Sequence, residues 1–98
     1  MTPTNEPPVP TPLQVAIWTH VNQCEESGNW SVDGATYSGG LGFSHANWAA
    51  FNTFGFPADA AEATPTQQIT VAVAFAEAYY GGPDGNPEPS LSTCGGGY

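Results

Sequence analysis

The sequence predicts a small, mainly α-helical α+β domain with a short β-hairpin or loop element. Two helix-start signatures, Thr11-Pro12-Leu13-Gln14 and Thr64-Pro65-Thr66-Gln67, each lead into apolar residues at helical spacing. Between them, residues 30–43 carry glycine and aspartate at the spacing of a hairpin or loop pair. The 98 residues of the chain suffice for one domain of this kind.

The first helix is predicted to begin at Pro12, with Thr11 as its N-cap and Gln14 in the capping-box position. It is expected to end at Ser27-Gly28-Asn29, where helix-breaking residues follow each other. Its buried stripe is expected to consist of four residues at helical spacing: Leu13, Ile17, Val21 and Cys24. Trp18 lies off that stripe, where it is expected to pack under the loop or to face a partner.

The hairpin region contains two glycine signals. Asp33-Gly34 favours a turn with positive φ, and the pair Gly39-Gly40 lets the backbone approach a ligand closely. A hairpin or loop pair is therefore expected here.

The second half of the chain predicts further helices. Ser44 caps a second helix whose inward residues are expected to be Trp48, Ala49 and Phe51. Residues 58–63 are predicted to form one short helical turn. The longest helix is predicted from Pro65 to Tyr80, central and well buried, with Gly81 as its C-cap.

The ends of the chain have a different composition. Residues 1–11 are rich in proline and predict a flexible arm or linker, with mobility expected over about the first ten residues. Residues 12–94 form the predicted domain, and residues 95–98 a flexible glycine-rich tail. The opening residues do not have the pattern of a signal peptide.

Charge restricts the partners of the protein. The chain has nine acidic residues and no Lys or Arg, which excludes nucleic acid as a direct partner because phosphates need cations. No apolar run is long enough to insert into a membrane. Its two histidines and two cysteines do not fall at zinc-ligand spacing, so no metal or other cofactor is expected.

Two cysteines allow one pairing, Cys24 with Cys94. In a small chain this indicates a disulfide made in an oxidising compartment, with two free buried cysteines as the alternative. Closing a loop of about 70 residues would contribute about 4 kcal/mol in the chain-entropy description.

The segment Cys24-Glu25-Glu26-Ser27-Gly28-Asn29-Trp30 concentrates the chemistry. A carboxylate in the last turn of a helix faces the negative end of the helix dipole, which disfavours its ionised form. A carboxylic acid that keeps its proton can act as a general acid. Glu25 and Glu26 are therefore the candidate catalytic residues, and since they point about 100° apart, only one is expected to face a cleft.

The same segment is followed by Tyr37-Ser-Gly-Gly-Leu-Gly-Phe-Ser44 and then by Trp48. Together these residues resemble the catalytic domain of the resuscitation-promoting factors. The likeness continues through Gln67-Gln68-Ile69 to Cys94. These are small lysozyme-like domains of actinobacteria and their phages that cut peptidoglycan glycan strands. The resemblance implies a lysozyme-like fold in which the hairpin or loop element walls the cleft.

The resemblance also implies site residues. It makes Glu25, directly after the cysteine, the catalytic residue and Glu26 a solvated charge. The residues expected to bind substrate are Trp30, Tyr37, Gly39, Gly40 and Asn47. The family usually has Gln where this chain has Gly42, often Thr at position 47, and a tryptophan-bearing segment where this chain has residues 82–89.

The expected reaction is cleavage of the β-1,4 bond between N-acetylmuramic acid and N-acetylglucosamine, by hydrolysis or by lytic transglycosylation. Asp33 is the nearby candidate for a second carboxylate, although its place before Gly34 favours a turn. The competing hypothesis is a non-catalytic glycan-binding or structural module, with Trp18, Trp30 and Tyr37 stacking on sugar rings.

The chain is expected to act as a monomer or as a module of a larger chain. Its expected location is outside the cell or in the cell wall, after secretion or phage delivery.

Overall fold

The computed structural model describes residues 7–80, with side chains up to residue 78. Its elements, in chain order, are α1 (Pro12–Glu26), β1 (Tyr37–Ser38), β2 (Phe43–Ser44), α2 (His45–Phe51), a short 3₁₀ helix (Ala60–Glu62) and α3 (Pro65–Tyr80). The mainly α-helical α+β class predicted from the sequence is confirmed.

Both predicted capping boxes form. The Thr11 hydroxyl accepts from the Gln14 backbone N–H at 3.1 Å, and the Gln14 side chain accepts from the Thr11 N–H at 2.8 Å. Thr64 and Gln67 repeat this at the start of α3, at 3.1 and 2.9 Å. Each box satisfies two backbone donors that a helix start leaves without partners.

The predicted end of α1 is also confirmed. Ser27 has φ of 53° and Gly28 has φ of 87°, so the chain turns left-handed directly after Glu26. The backbone N–H groups of Ser27 and Gly28 both donate to the carbonyl of Asn22, which satisfies an acceptor of the last turn. This makes Glu25 and Glu26 the last two residues of the helix.

The buried face of α1 differs from the predicted stripe. Ile17 and Val21 are buried as expected, but Leu13 is 58% exposed, Cys24 is exposed, and Trp18 is fully buried. Burying an indole removes more apolar area from water than burying a leucine. The helix is therefore turned so that Trp18 and Asn22, not Leu13 and Cys24, face the interior.

A two-stranded antiparallel sheet forms in the predicted hairpin region. Tyr37 pairs with Ser44 and Ser38 with Phe43, so residues 39–42 form the connecting loop. The positive-φ glycines are Gly39 and Gly42, at 80° and 70°. The prediction of positive φ at Asp33-Gly34 was wrong. Asp33 instead forms an isolated bridge with Ser38, and the Gly34 N–H donates to the Tyr37 carbonyl at 2.9 Å.

Helix α2 begins at the predicted cap, where the Ser44 hydroxyl accepts from the Asn47 N–H at 3.1 Å. Trp48 is buried and donates its indole N–H to the Pro57 carbonyl at 2.9 Å. Phe51 is half-buried against the core, whereas Ala49 is exposed, contrary to the prediction. One residue beyond Trp48 is about 100° further round the helix, which points Ala49 to solvent.

The core lies around α3, the helix that was predicted to be central. It contacts both α1 and α2, and its residues 68–72 are all buried. Phe75 packs edge-on against both Phe43 and Phe51. The buried apolar residues are Ile17, Trp18, Val21, Leu41, Phe43, Trp48, Ala60, Ala63, Ile69, Val71, Ala72, Phe75 and Ala76.

The proline-rich arm is partly packed against the domain. Pro10 is buried and Pro7 is half-buried, whereas Pro8 and Val9 are exposed, and the mobility of this arm stays a prediction. A cavity of about 380 Å³ lies beneath this segment. Its lining includes none of the predicted site residues and consists of Pro8, Val9, Pro10, Gln14, Phe54, Thr70, Val73, Ala74 and Glu77.

Several predictions concern residues outside the described part of the chain: the first six residues, the C-cap at Gly81, the altered segment 82–89, Cys94 and the tail 95–98. Between residues 7 and 80, none of the helices combines the length and the apolar character that crossing a membrane would need.

Candidate functional site

The hairpin loop is held by two buried amide side chains, one from each long helix. The backbone N–H of Gly40 donates to Gln68 Oε1 at 2.7 Å. The carbonyl of Gly40 accepts from Asn22 Nδ2 at 2.9 Å. Asn22 and Gln68 are both fully buried. The N–H and the carbonyl of one residue in the loop are thus fixed from inside the protein, where hydrogen bonds are costly to break.

The same two amides also hold the segment that follows α1. Gln68 Nε2 donates to the carbonyls of Trp30 and Ala63, each at 2.9 Å. Asn22 Nδ2 donates to the carbonyl of Asn29 at 3.0 Å. The end of α1, the hairpin loop and the start of α3 therefore share one hydrogen-bond network.

Close packing explains the glycine pair in this loop. A Cβ on Gly40 would lie 2.6 Å from Asn22 Nδ2 and 2.6 Å from Trp30 Cε3. A Cβ on Gly39 would lie 2.8 Å from Gln68 Oε1, and φ of 80° favours glycine there as well. Both glycines are buried. The close backbone approach expected of them is made to the protein's own side chains, and a role for them in substrate binding remains a prediction.

The two glutamates at the end of α1 have different surroundings. Glu25 is exposed, so the described residues do not enclose it with aromatic side chains. Glu26, expected to be a solvated charge, is half-buried. Its Oε2 lies 3.6 Å from the position that a Cβ on Gly42 would occupy. The carboxylate of Glu26 is therefore next to the hairpin loop, whereas that of Glu25 is open to solvent.

The aromatic and amide residues expected at the site are distributed over several elements. Trp30 is half-buried and packs against the core beside Gly40. Tyr37 is 55% exposed on β1, and Asn47 is half-buried in the first turn of α2. Trp18 is fully buried, which rules it out as a sugar-stacking residue of the competing binding-module hypothesis.

Asp33, the other carboxylate considered for catalysis, is linked to a different group of residues. The backbone N–H of Ala61 donates to Asp59 at 3.0 Å and lowers the pKa of Asp59, with smaller contributions from Ser38, Asp33 and His45. His45 Nε2 lies 2.9 Å from the carbonyl of Gly34. Asp33 thus belongs to the contact between the hairpin and the 3₁₀ helix.

Metal-binding groups were also considered for this region. Within residues 7–80, no three His, Cys, Asp or Glu side chains are arranged to hold a metal ion.

The cysteine before Glu25 was expected to form a disulfide. Among the described residues, Cys24 is not a free thiol. Its expected partner, Cys94, is not among the described residues, and the pairing itself stays a prediction.

Asn22 and Gln68 were missed as site-forming residues. Each is an uncharged amide next to a buried apolar residue of its helix, Val21 for Asn22 and Ile69 for Gln68. A buried amide must find hydrogen-bond partners, and in both cases these are backbone groups of the loops around the candidate site. An amide among predicted core positions was the signal that could have identified them.

The helical frame and the hairpin form a small, mainly α-helical domain in which the two glutamates lie at the end of α1. The model of the transglycosylase-like domain family matches residues 13–85, and the chain belongs to this family. Its relatives include resuscitation-promoting factors, which confirms the resemblance seen in the sequence.

Three relatives illustrate the likeness. Resuscitation-promoting factor Rpf1 of Corynebacterium glutamicum is 46% identical over 56 residues, covering 56% of this chain and 29% of the relative. Resuscitation-promoting factor RpfE of Mycobacterium tuberculosis is 43% identical over 67 residues, covering 67% of this chain and 37% of the relative. RpfC of the same species is 48% identical over 56 residues, covering 56% and 38%. The chain therefore matches well under half the length of each.

Proposed function

We propose that this domain cleaves the β-1,4 bond between N-acetylmuramic acid and N-acetylglucosamine in peptidoglycan, with Glu25 as the general acid and then the general base. The observation that carries the proposal is the position of Glu25. It is exposed in the last turn of α1, in a chain that belongs to the transglycosylase-like domain family. An exposed carboxyl at the end of a helix can reach a polymer that lies across the surface.

The chemistry requires Glu25 to act twice. It first gives its proton to the oxygen of the glycosidic bond, so that the bond to C1 breaks and the leaving sugar departs as an alcohol. In the sugar that retains C1, the N-acetyl oxygen bonds to C1 as the leaving sugar departs. Water or a hydroxyl group of that same C1-bearing sugar then displaces this oxygen at C1, and Glu25 accepts the proton that the attacking O–H loses. If water completes the reaction the result is hydrolysis, and if a hydroxyl group of the sugar does so it is transglycosylation.

The surroundings of Asp33 favour this one-glutamate scheme. The backbone of Asp33 forms a bridge with Ser38, so this residue has a structural role in the hairpin region. A sugar group replaces the second carboxylate in such a mechanism.

The proposed substrate determines where the protein must act. Peptidoglycan lies outside the cytoplasmic membrane, so the proposed function requires secretion or release by a phage. A disulfide from Cys24 to Cys94 would suit that oxidising environment. The negative charge of the chain, with nine acidic residues and no Lys or Arg, suits a substrate surface that is not strongly anionic.

The substitution Glu25→Gln tests the proposal. It retains the size and hydrogen-bonding capacity of the side chain but removes the proton that is transferred. Release of soluble muropeptides from purified actinobacterial peptidoglycan is expected to fall about 100-fold or more. Glu77→Gln, an exposed glutamate on α3 beside the proline-rich arm, is the matched control and should leave the rate unchanged.

The outcomes separate enzyme from binding module. Equal activity of the Glu25→Gln variant and the unaltered protein would contradict the proposal. If none of the proteins releases muropeptides but all bind peptidoglycan, the domain is a glycan-binding module. Mass spectrometry of the products then identifies the second step, because anhydro-muramyl ends indicate transglycosylation and reducing ends indicate hydrolysis.

A further inference from the structure

We infer that Glu26 is a substrate-positioning residue, whose carboxylate binds hydroxyl or amide N–H groups of the sugar beside the hairpin loop. The inference rests on the proposed function and adds a residue that lies outside the one-glutamate scheme. It begins from the contact between Glu26 and the loop. Glu26 Oε2 lies 3.6 Å from the place of a Cβ on Gly42, and Glu26 is less exposed than Glu25.

The direction of the Glu26 side chain follows from the helix. Residues four apart lie on the same helix face, so Glu26 continues the face of Asn22. Asn22 is the residue that binds the Gly40 carbonyl. The face of α1 that is joined to the hairpin loop therefore ends in the carboxylate of Glu26, and Gly42, with φ of 70° and no side chain, leaves room for it.

The Glu26 carboxylate cannot pair with Lys or Arg, because the chain has neither. It therefore offers acceptor oxygens next to the hairpin loop without a Lys or Arg partner from this chain. A ligand that offers O–H and N–H groups, as an N-acetylated sugar does, complements it.

Geometry argues against a second catalytic carboxylate at this position. A carboxylate that activates water or attacks C1 must lie across the scissile bond from the acid. Glu25 and Glu26 are consecutive residues at one helix end and point about 100° apart, so they do not face each other across a bound glycan. Glu26 is therefore assigned to binding and Glu25 to proton transfer.

The test measures binding and catalysis separately. The probe is tri-N-acetylchitotriose, a soluble β-1,4-linked trimer of N-acetylglucosamine, titrated by calorimetry against proteins that carry Glu25→Gln. Adding Glu26→Ser, which shortens the side chain, is expected to weaken binding about tenfold, the effect of losing a charge-assisted hydrogen bond. Adding Glu26→Gln, which retains one acceptor oxygen, should recover part of the loss. Glu77→Gln is again the control and should not change the Kd.

In the background with intact Glu25, Glu26→Ser should raise KM for peptidoglycan about tenfold and leave kcat within about twofold, the pattern of lost ground-state binding. Its Tm should not fall, because removing a negative charge from a helix C-terminus does not destabilise the helix. Addition of the trimer should shift the Gly42 amide resonance in the protein with Glu26 and leave it unshifted in the Glu26→Ser variant, which would place the sugar at this contact.

Unchanged Kd and KM in both Glu26 variants would overturn the inference, and so would a loss of Tm with no change in Kd. Absence of trimer binding by the unaltered protein would overturn it as well. The proposed function fails by a different result, namely full activity of Glu25→Gln, and the titrations with the trimer still decide the role of Glu26 in that case.

Discussion

The hairpin loop and the end of α1 lie side by side, but their polar groups are used in different ways. In the loop, the N–H and carbonyl of Gly40 are both bound by buried amides from α1 and α3. At the helix end, only the backbone is satisfied internally, and the carboxylates of Glu25 and Glu26 remain accessible. The loop therefore has a fixed geometry, whereas the helix end has groups that are free to meet a ligand.

This difference has an energetic cause. A buried polar group without a partner costs about 1–3 kcal/mol, and beneath the loop both polar atoms of the Gln68 amide and the Nδ2 of Asn22 are matched to backbone groups. An exposed carboxylate has no such requirement because water solvates it. Substitutions beneath the loop should consequently reduce stability, whereas substitutions at the helix end should change binding and activity.

The largest expected effect on stability is that of Gln68→Ala. The substitution removes the acceptor for the Gly40 N–H and the donor for the carbonyls of Trp30 and Ala63. The free energy of unfolding, measured by chemical denaturation, is expected to fall by about 3 kcal/mol or more. Gln67→Ala is the control. It removes an exposed capping contact at the start of α3 and should cost about 1 kcal/mol or less. Equal losses in the two variants would contradict the role assigned to Gln68.

A smaller loss is expected from Gly40→Ala. Its Cβ would lie 2.6 Å from Asn22 Nδ2 and 2.8 Å from Trp30 Cα, and the backbone of Trp30 cannot move independently of the network. The expected cost is about 2 kcal/mol, typical of overpacking. Gly55→Ala provides the comparison, because Gly55 has φ of 82° but no atom within 4 Å of its Cβ position. It should cost only the strain of about 1 kcal/mol. If Gly55→Ala is the more destabilising of the two, close packing does not explain Gly40.

The smallest expected effect concerns Asp59, where the hairpin meets the 3₁₀ helix. The Ala61 N–H holds the pKa of Asp59 below its ordinary value of 3.8, with support from Ser38, Asp33 and His45. A lowered folded-state pKa contributes stability above the unfolded-state pKa, and this contribution is lost as pH falls through the folded-state value. Asp59→Asn, which retains a capping oxygen, should therefore be less stable than the unaltered protein at pH 6, and the difference should shrink below about pH 4.

Unfolding curves of the two proteins at about pH 3, 4 and 6 would measure this convergence. A difference that stays constant over this range would show that the charge of Asp59 does not contribute.

Much of the framework was predictable because it depends on residues close together in the chain. The capping boxes at Thr11 and Thr64 join residues three positions apart, so four letters of sequence indicate a helix start. The end of α1 at Ser27 and Gly28 is equally local. The same local motifs carried the resemblance to the family that the comparison then confirmed.

The candidate site was predicted less completely. The position of Glu25 at the end of α1 followed from the motif, but the burial of Trp18 and the half-buried position of Glu26 did not. Whether a helical residue is buried depends on which element packs opposite it. The spacing of apolar residues leaves that choice open to about one position in either direction.

The sequence by itself therefore determined the number and start of the helices, the end of α1, the place of the hairpin and the family of the domain, because short-range hydrogen bonds and turn-forming residues specify these. The tertiary structure decided which face of α1 is buried, which glycines adopt positive φ and which glutamate lies beside Gly42. These depend on contacts such as that between Gln68 and Gly40, 28 positions apart, which form only when α1, the hairpin and α3 pack together.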